Sequence, residues 1–203
     1  MKAGIFVIVF LLIVGSVGIS VATPAQDEEK QPKKEKFGAL AFMPAGAGPA
    51  MVGAGTRVNV DIHVNSYTTD AEAKSLAGAL LEGGPDALLK LLEKAKSKGK
   101  ITLTGRVGFY DLKLIRSHRI EGGRRIYAVG DRPVGFLEAY VNNRSRDYPF
   151  GILQLDLKTN DKGKEEGSGA LMYAAKIKVL DGKSIDVETY GIEPIRLMGV
   201  RKL

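Results

Sequence analysis

Arg116, His118, Arg119, Arg124 and Arg125 stand around the tripeptide Glu121-Gly122-Gly123 and form the densest positive cluster in the chain. A guanidinium offers a planar fork of donors that matches two oxygens of one phosphate, sulfate or carboxylate, so five basic side chains on a hairpin tip make a candidate anion site. The neighbouring cations oppose protonation of His118. His63, between Asp61 and Asn65, has the position of a general base if its face of a strand lines a cleft, and otherwise is an exposed histidine. Asp61, Asp111, Asp156, Asp186 and Glu188 take outward strand positions. Two of them about 5–9 Å apart would support acid–base hydrolysis; without that spacing they are solubilising charge.

Other chemistries are ruled out by residue type. With no cysteine and only two histidines, the chain holds no disulfide, thiolate nucleophile, iron–sulfur cluster, Cys-ligated zinc or three-His metal site. Gly182-Lys183-Ser184 resembles the end of a phosphate-binding loop, but Ile177 stands where that loop needs its first glycine. Ser97-Lys98-Gly99-Lys100 has the spacing of an acylating serine and its lysine, yet it falls at a helix end where Gly99 interrupts the turn. No catalytic, cofactor-binding or metal-ligating set is therefore assigned. The tyrosines do not alternate with arginine as a single-strand-binding groove requires, and nucleic acid is not an expected partner.

The N-terminus sets the expected compartment. Met1-Lys2 precedes the apolar run Ile5 to Val14, and small residues follow at Ser20, Ala22 and Ala25. This is the secretory signal pattern, with cleavage after Ala22 or after Ala25. The alternative is an uncleaved anchor in the inner membrane, since Ala3 to Ala22 is long enough to cross a bilayer. An exported chain without cysteine suits the bacterial periplasm or exterior better than a disulfide-stapled animal domain. At 44% hydrophobic and 26% charged residues the chain does not carry the signature of disorder, and its formal net charge of +7 favours anionic surfaces.

Positioning these groups requires a scaffold. Residues 1–25 read as signal peptide, 26–55 as a tether that is first charged and then rich in Gly, Ala and Pro, and 56–203 as one domain. Val58, Val60, Ile62 and Val64 alternate with polar residues and predict a half-buried strand. Thr69 with Glu72 forms a capping box. A first helix should stop at Gly83-Gly84 and a second should begin at Pro85 and end near Gly99. Strands are expected near Ile101–Val107, Phe109–Ile120, Arg124–Gly130, Phe150–Lys158, Ala170–Leu180, Ser184–Tyr190 and Pro194–Arg201, with Asn160–Gly169 a polar turn and Pro133–Tyr148 unassigned. The expected fold is α+β. A curved, mostly antiparallel sheet of about seven or eight strands packs on a two-helix hairpin inserted after the first strand. That order is similar to the helix-grip fold, except that this chain ends in a strand.

Gly84-Pro85-Asp86-Ala87-Leu88-Leu89, Gly123-Arg124-Arg125-Ile126 leading to Asp131-Arg132-Pro133-Val134, Asp147-Tyr148-Pro149-Phe150 and Glu193-Pro194-Ile195-Arg196-Leu197 resemble an uncharacterised family of exported bacterial proteins over about Thr56 to Leu203. The resemblance implies an exported bacterial domain and carries over no activity, cofactor or site residue. The functional expectation is a non-enzymatic envelope or periplasmic binding or accessory domain for an apolar or anionic small ligand or an envelope component. A carboxylate- and arginine-based hydrolase or lyase, and a structural or assembly protein, are the alternatives. Membrane contact is expected only through an uncleaved signal segment, and the sequence does not fix an oligomeric state.

Overall fold

The computed structural model describes residues 34–42, 57–104, 108–134, 147–180, 184–189 and 193–203. The leader, residues 135–146 of the unassigned segment and the Asp181-Gly182 turn lie outside them. The described strands are β1 (Glu35–Phe42), β2 (Arg57–Val64), β3 (Gly99–Leu103), β4 (Tyr110–Leu112), β5 (Leu114–Ile120), β6 (Gly123–Gly130), β7 (Phe150–Thr159), β8 (Glu165–Leu180), β9 (Ser184–Thr189) and β10 (Ile195–Lys202). They form a ten-stranded antiparallel sheet in the order β4-β3-β2-β1-β10-β8-β7-β6-β5, with β9 on β8 beyond the end of β10.

The two ends of that order are neighbours in sequence. β4 runs through Lys113 into β5, the Lys113 N–H donates to the Val129 carbonyl at 2.9 Å, and Thr68 covers the free edge of β5 by bonding both the N–H and the C=O of Ile115. The sheet therefore curls into a nearly closed barrel. Its interior is filled by the inward residues of every strand except β9, among them Phe37, Ile62, Ile101, Ile126, Leu155 and Leu197, each 1% exposed or less.

One helix, α1 (Asp70–Lys94), follows β2. The Thr69 hydroxyl accepts the Glu72 N–H at 3.3 Å while the Glu72 carboxylate accepts the Thr69 N–H at 2.8 Å, so the capping box read from the sequence is present. Leu76, Leu80, Leu88 and Leu92 bury against the outside of the barrel, on Leu114, Val129, Phe150, Ile152, Met172 and Ile177.

These facts overturn the expected α+β fold with a two-helix hairpin. Among the described residues the molecule is mostly β, with ten strands rather than seven or eight, and one helix inserted after the second strand. Gly84 does break the helical backbone, at φ 72° and ψ −170°, but as a kink. A single non-helical residue leaves no loop in which the chain could reverse, whereas a helical hairpin needs about 2–5 residues. The four buried leucines, spaced by multiples of four, continue one stripe through the kink. The expected tether is corrected too: Glu35–Phe42 is β1, paired with β2 on one side and β10 on the other. Within the expected polar turn, β8 already begins at Glu165, so only 160–164 turn.

Candidate functional site

The outer face of the barrel and the inner stripe of α1 meet along a groove of about 520 Å³. Its helical wall includes Ala73, Leu76, Ala77 and Leu80, and its sheet wall includes Leu114, Val129, Ile152, Ile177, Ile185 and Val187. Leu81 stands 42% exposed at its margin. Sheet and helix both supply apolar groups because β5 to β8 are two-faced: Leu153 and Leu155 fill the barrel while Ile152, on the same strand, faces α1. The register of the β5–β6 hairpin grades the wall. Leu114 faces Val129, Arg116 faces Tyr127, and His118 faces Arg125, so the floor passes from aliphatic to basic toward the Glu121-Gly122 turn. Gly122 makes that two-residue turn by taking φ 72°, the left-handed region that a side chain resists.

Four of the five residues expected to bind an anion line this groove: Arg116, His118, Arg119 and Arg125. Their charges are not equally available. Arg116 Nη1 pairs with Asp70 at 2.7 Å and donates to the Thr68 carbonyl at 2.9 Å. Arg125 holds Asp156 with both arms, at 2.5 and 2.9 Å, and this pairing raises its pKa further. Burial, then the nearby Arg116 charge, push the His118 imidazole below its ordinary value, as expected from the basic neighbours; its ring meets Tyr127 edge-on with centroids 6.1 Å apart. Arg119 is exposed and, among the described residues, has no ion-pair or hydrogen-bond partner.

Arg124 is separated from the others. Its guanidinium turns toward the barrel end and bonds Glu35 at 2.8 and 3.1 Å and Glu165 at 2.6 Å through each of two nitrogens. Lys202 Nζ reaches the same Glu35 at 2.5 Å, and the Tyr67 hydroxyl donates to it at 2.6 Å. Burial alone raises the Glu35 carboxyl, but the bonds from Arg124, Lys202 and Tyr67 outweigh it and hold the group below the usual value. This network closes one end of the barrel and ties β1 to β6, β8 and β10.

His63 lies on the outer face of β2 between Lys36 and Lys100 on the adjacent strands, and burial followed by those two charges lowers its pKa. Among the described residues neither histidine bonds a carboxylate. Asp61 pairs with Lys36 at 3.0 Å, Asp156 with Arg125, and Glu188 with Lys178 and Tyr148, on three separate strands. A histidine–carboxylate pair is thus not assembled among the described residues, Asp186 and Glu188 stand two residues apart on β9, and no group of three or more metal-ligating side chains occurs among the described residues.

Sequence reasoning missed the groove itself, and with it Ile152, Ile177, Ile185 and Val187, as well as Glu35 and Tyr67. The signal for the groove was present in adjacent apolar residues of both parities, such as Leu114-Ile115 and Ile152-Leu153, which mark strands buried on two faces. A scan of family models, a search of curated proteins and a search of solved structures each found no match for this chain.

Proposed function

We propose that this chain is a non-enzymatic, exported bacterial binding protein whose ligand is an elongated apolar molecule lying in the groove between α1 and the outside of the barrel. The observation that carries this reading is the groove: a concave, predominantly aliphatic surface held between two rigid elements, with polar groups confined to one end. That is the composition of small-molecule sites, in which apolar area supplies affinity and a few polar groups fix orientation. The barrel interior is an unsuitable alternative, because its side chains already fill it. Support for export comes from the order of Lys2, the apolar run Ile5 to Val14 and the small residues before Ala25. No helix among the described residues is long and apolar enough to cross a membrane.

Native mass spectrometry of the mature chain after incubation with a bacterial lipid extract tests the proposal. A retained lipid-sized mass is expected for the wild-type chain and is lost in Ala77→Trp, whose indole fills the groove from the helical wall without disturbing the buried leucines. No retained mass in the wild type would overturn the reading. Equal retention in a folded Ala77→Trp would move the ligand elsewhere.

A further inference from the structure

Parity sorts the basic residues of β5 and β6. Leu114, Arg116 and His118 share the groove face with Val129, Tyr127 and Arg125 opposite them, whereas Arg119 pairs with Arg124 and takes the other face. On the groove face both guanidinium charges have a counterpart: Arg116 meets Asp70 at 2.7 Å, and Arg125 meets Asp156 at 2.5 and 2.9 Å. His118 adds no charge at neutral pH, because burial and then Arg116 favour its neutral ring. The polar end of the groove is therefore electroneutral. It keeps hydrogen-bonding capacity all the same. The His118 ring meets Tyr127 edge-on and has no hydrogen-bond partner among the described residues, and Arg116 uses only Nη1. A neutral imidazole offers one donor and one acceptor, while the remaining guanidinium N–H groups only donate. The two residues stand two apart on β5, roughly 7 Å along the strand.

We infer that the groove takes an uncharged single-chain amphiphile with a hydroxylated headgroup, of the monoacylglycerol kind, its alkyl chain between Leu76, Leu80, Ile152 and Val187 and its hydroxyls on His118 and Arg116. A hydroxyl both donates and accepts, so one headgroup donates to the bare imidazole nitrogen and accepts from the guanidinium N–H. A carboxylate only accepts: it leaves that nitrogen without a donor and brings a charge that the site does not balance. An ammonium only donates, and it meets a guanidinium that does the same. The apolar chain contributes affinity by leaving water. The headgroup contact selects among chains of equal length, and the charged ones bind through the chain alone.

This inference rests on the groove being the ligand site, and the test separates the two. Monomyristoylglycerol, methyl myristate, myristate and tetradecylammonium are titrated at neutral pH, below their aggregation concentrations, into the wild-type chain and into His118→Phe. The variant keeps an aromatic ring beside Tyr127 and removes both ring nitrogens. Wild type is expected to bind monomyristoylglycerol about fivefold or more tightly than each of the other three, the size of one or two neutral hydrogen bonds. His118→Phe should bring the monoacylglycerol down toward the methyl ester and leave the methyl ester unchanged. Equal affinity for glyceryl and methyl esters in the wild type, a preference for either ion, or an unchanged glyceryl preference in His118→Phe would each overturn the inference while leaving the groove reading in place. Failure of all four compounds to bind would overturn the groove reading itself. Because His118 is exposed and makes no hydrogen bond among the described residues, the variant is expected to fold, which the far-ultraviolet circular dichroism spectrum checks.

Discussion

Arg124 and Arg125 are adjacent on β6, yet Arg125 lines a surface groove and Arg124 completes a charge network at the barrel end. The sequence shows that five basic groups are close. It does not show strand register, and register decides which face each side chain takes. Glu35 was equally hidden, because its partners Tyr67, Arg124 and Lys202 are brought to it only by closure of the sheet. Removing this carboxylate leaves two cations crowded at the barrel end, so Glu35→Ala is expected to destabilise the fold by about 3–5 kcal/mol in urea unfolding, with the lower end favoured because Glu165 still pairs with Arg124. The Glu35 pKa is depressed in the folded state, so its contribution is complete above the ordinary value of 4.5 and is lost as pH falls through the lower folded value. The melting temperature should therefore drop on acidification below about pH 4.5. Glu35→Gln should flatten that drop; an unchanged acid slope would show that other carboxylates dominate it.

Among the elements, β1 was the hardest to read. Glu35-Lys36-Phe37-Gly38-Ala39-Leu40-Ala41-Phe42 sits between a charged run and a Gly-rich one, and small residues at alternate positions mimic a linker. Those small residues serve a central strand, because Ala39 and Ala41 point inward where the barrel core is already crowded. Most of the other strands were legible from alternation and turn residues, with errors mainly at their ends. The helical stretch was legible as helix and wrongly read as a hairpin, since Gly83-Gly84-Pro85 carries the signals of both a stop and a start while the leucine stripe that bridges them is a tertiary property. Phe37→Ala separates a central strand from a tether. Full burial predicts a loss of about 3–5 kcal/mol, measured by the urea midpoint at constant slope; a tether residue would change stability by less than about 0.5 kcal/mol.

At the scale of the whole molecule, two cores share one wall. The barrel core lies inside the sheet, and a second lies between β5–β9 and α1, where the leucine stripe covers the wall incompletely and leaves the groove. A filled barrel gives the groove a rigid floor, and the kinked helix gives it a second wall. A groove outside the barrel thus follows from strands that are apolar on both faces. The most direct test is paramagnetic broadening in the isotope-labelled chain on adding stearic acid that carries a nitroxide on its alkyl chain. The account predicts loss of amide signals from Leu76, Ala77, Leu80, Ile152 and Val187. Broadening confined to β1, β2 and β10 on the far side of the barrel, or none at ligand saturation, would contradict it.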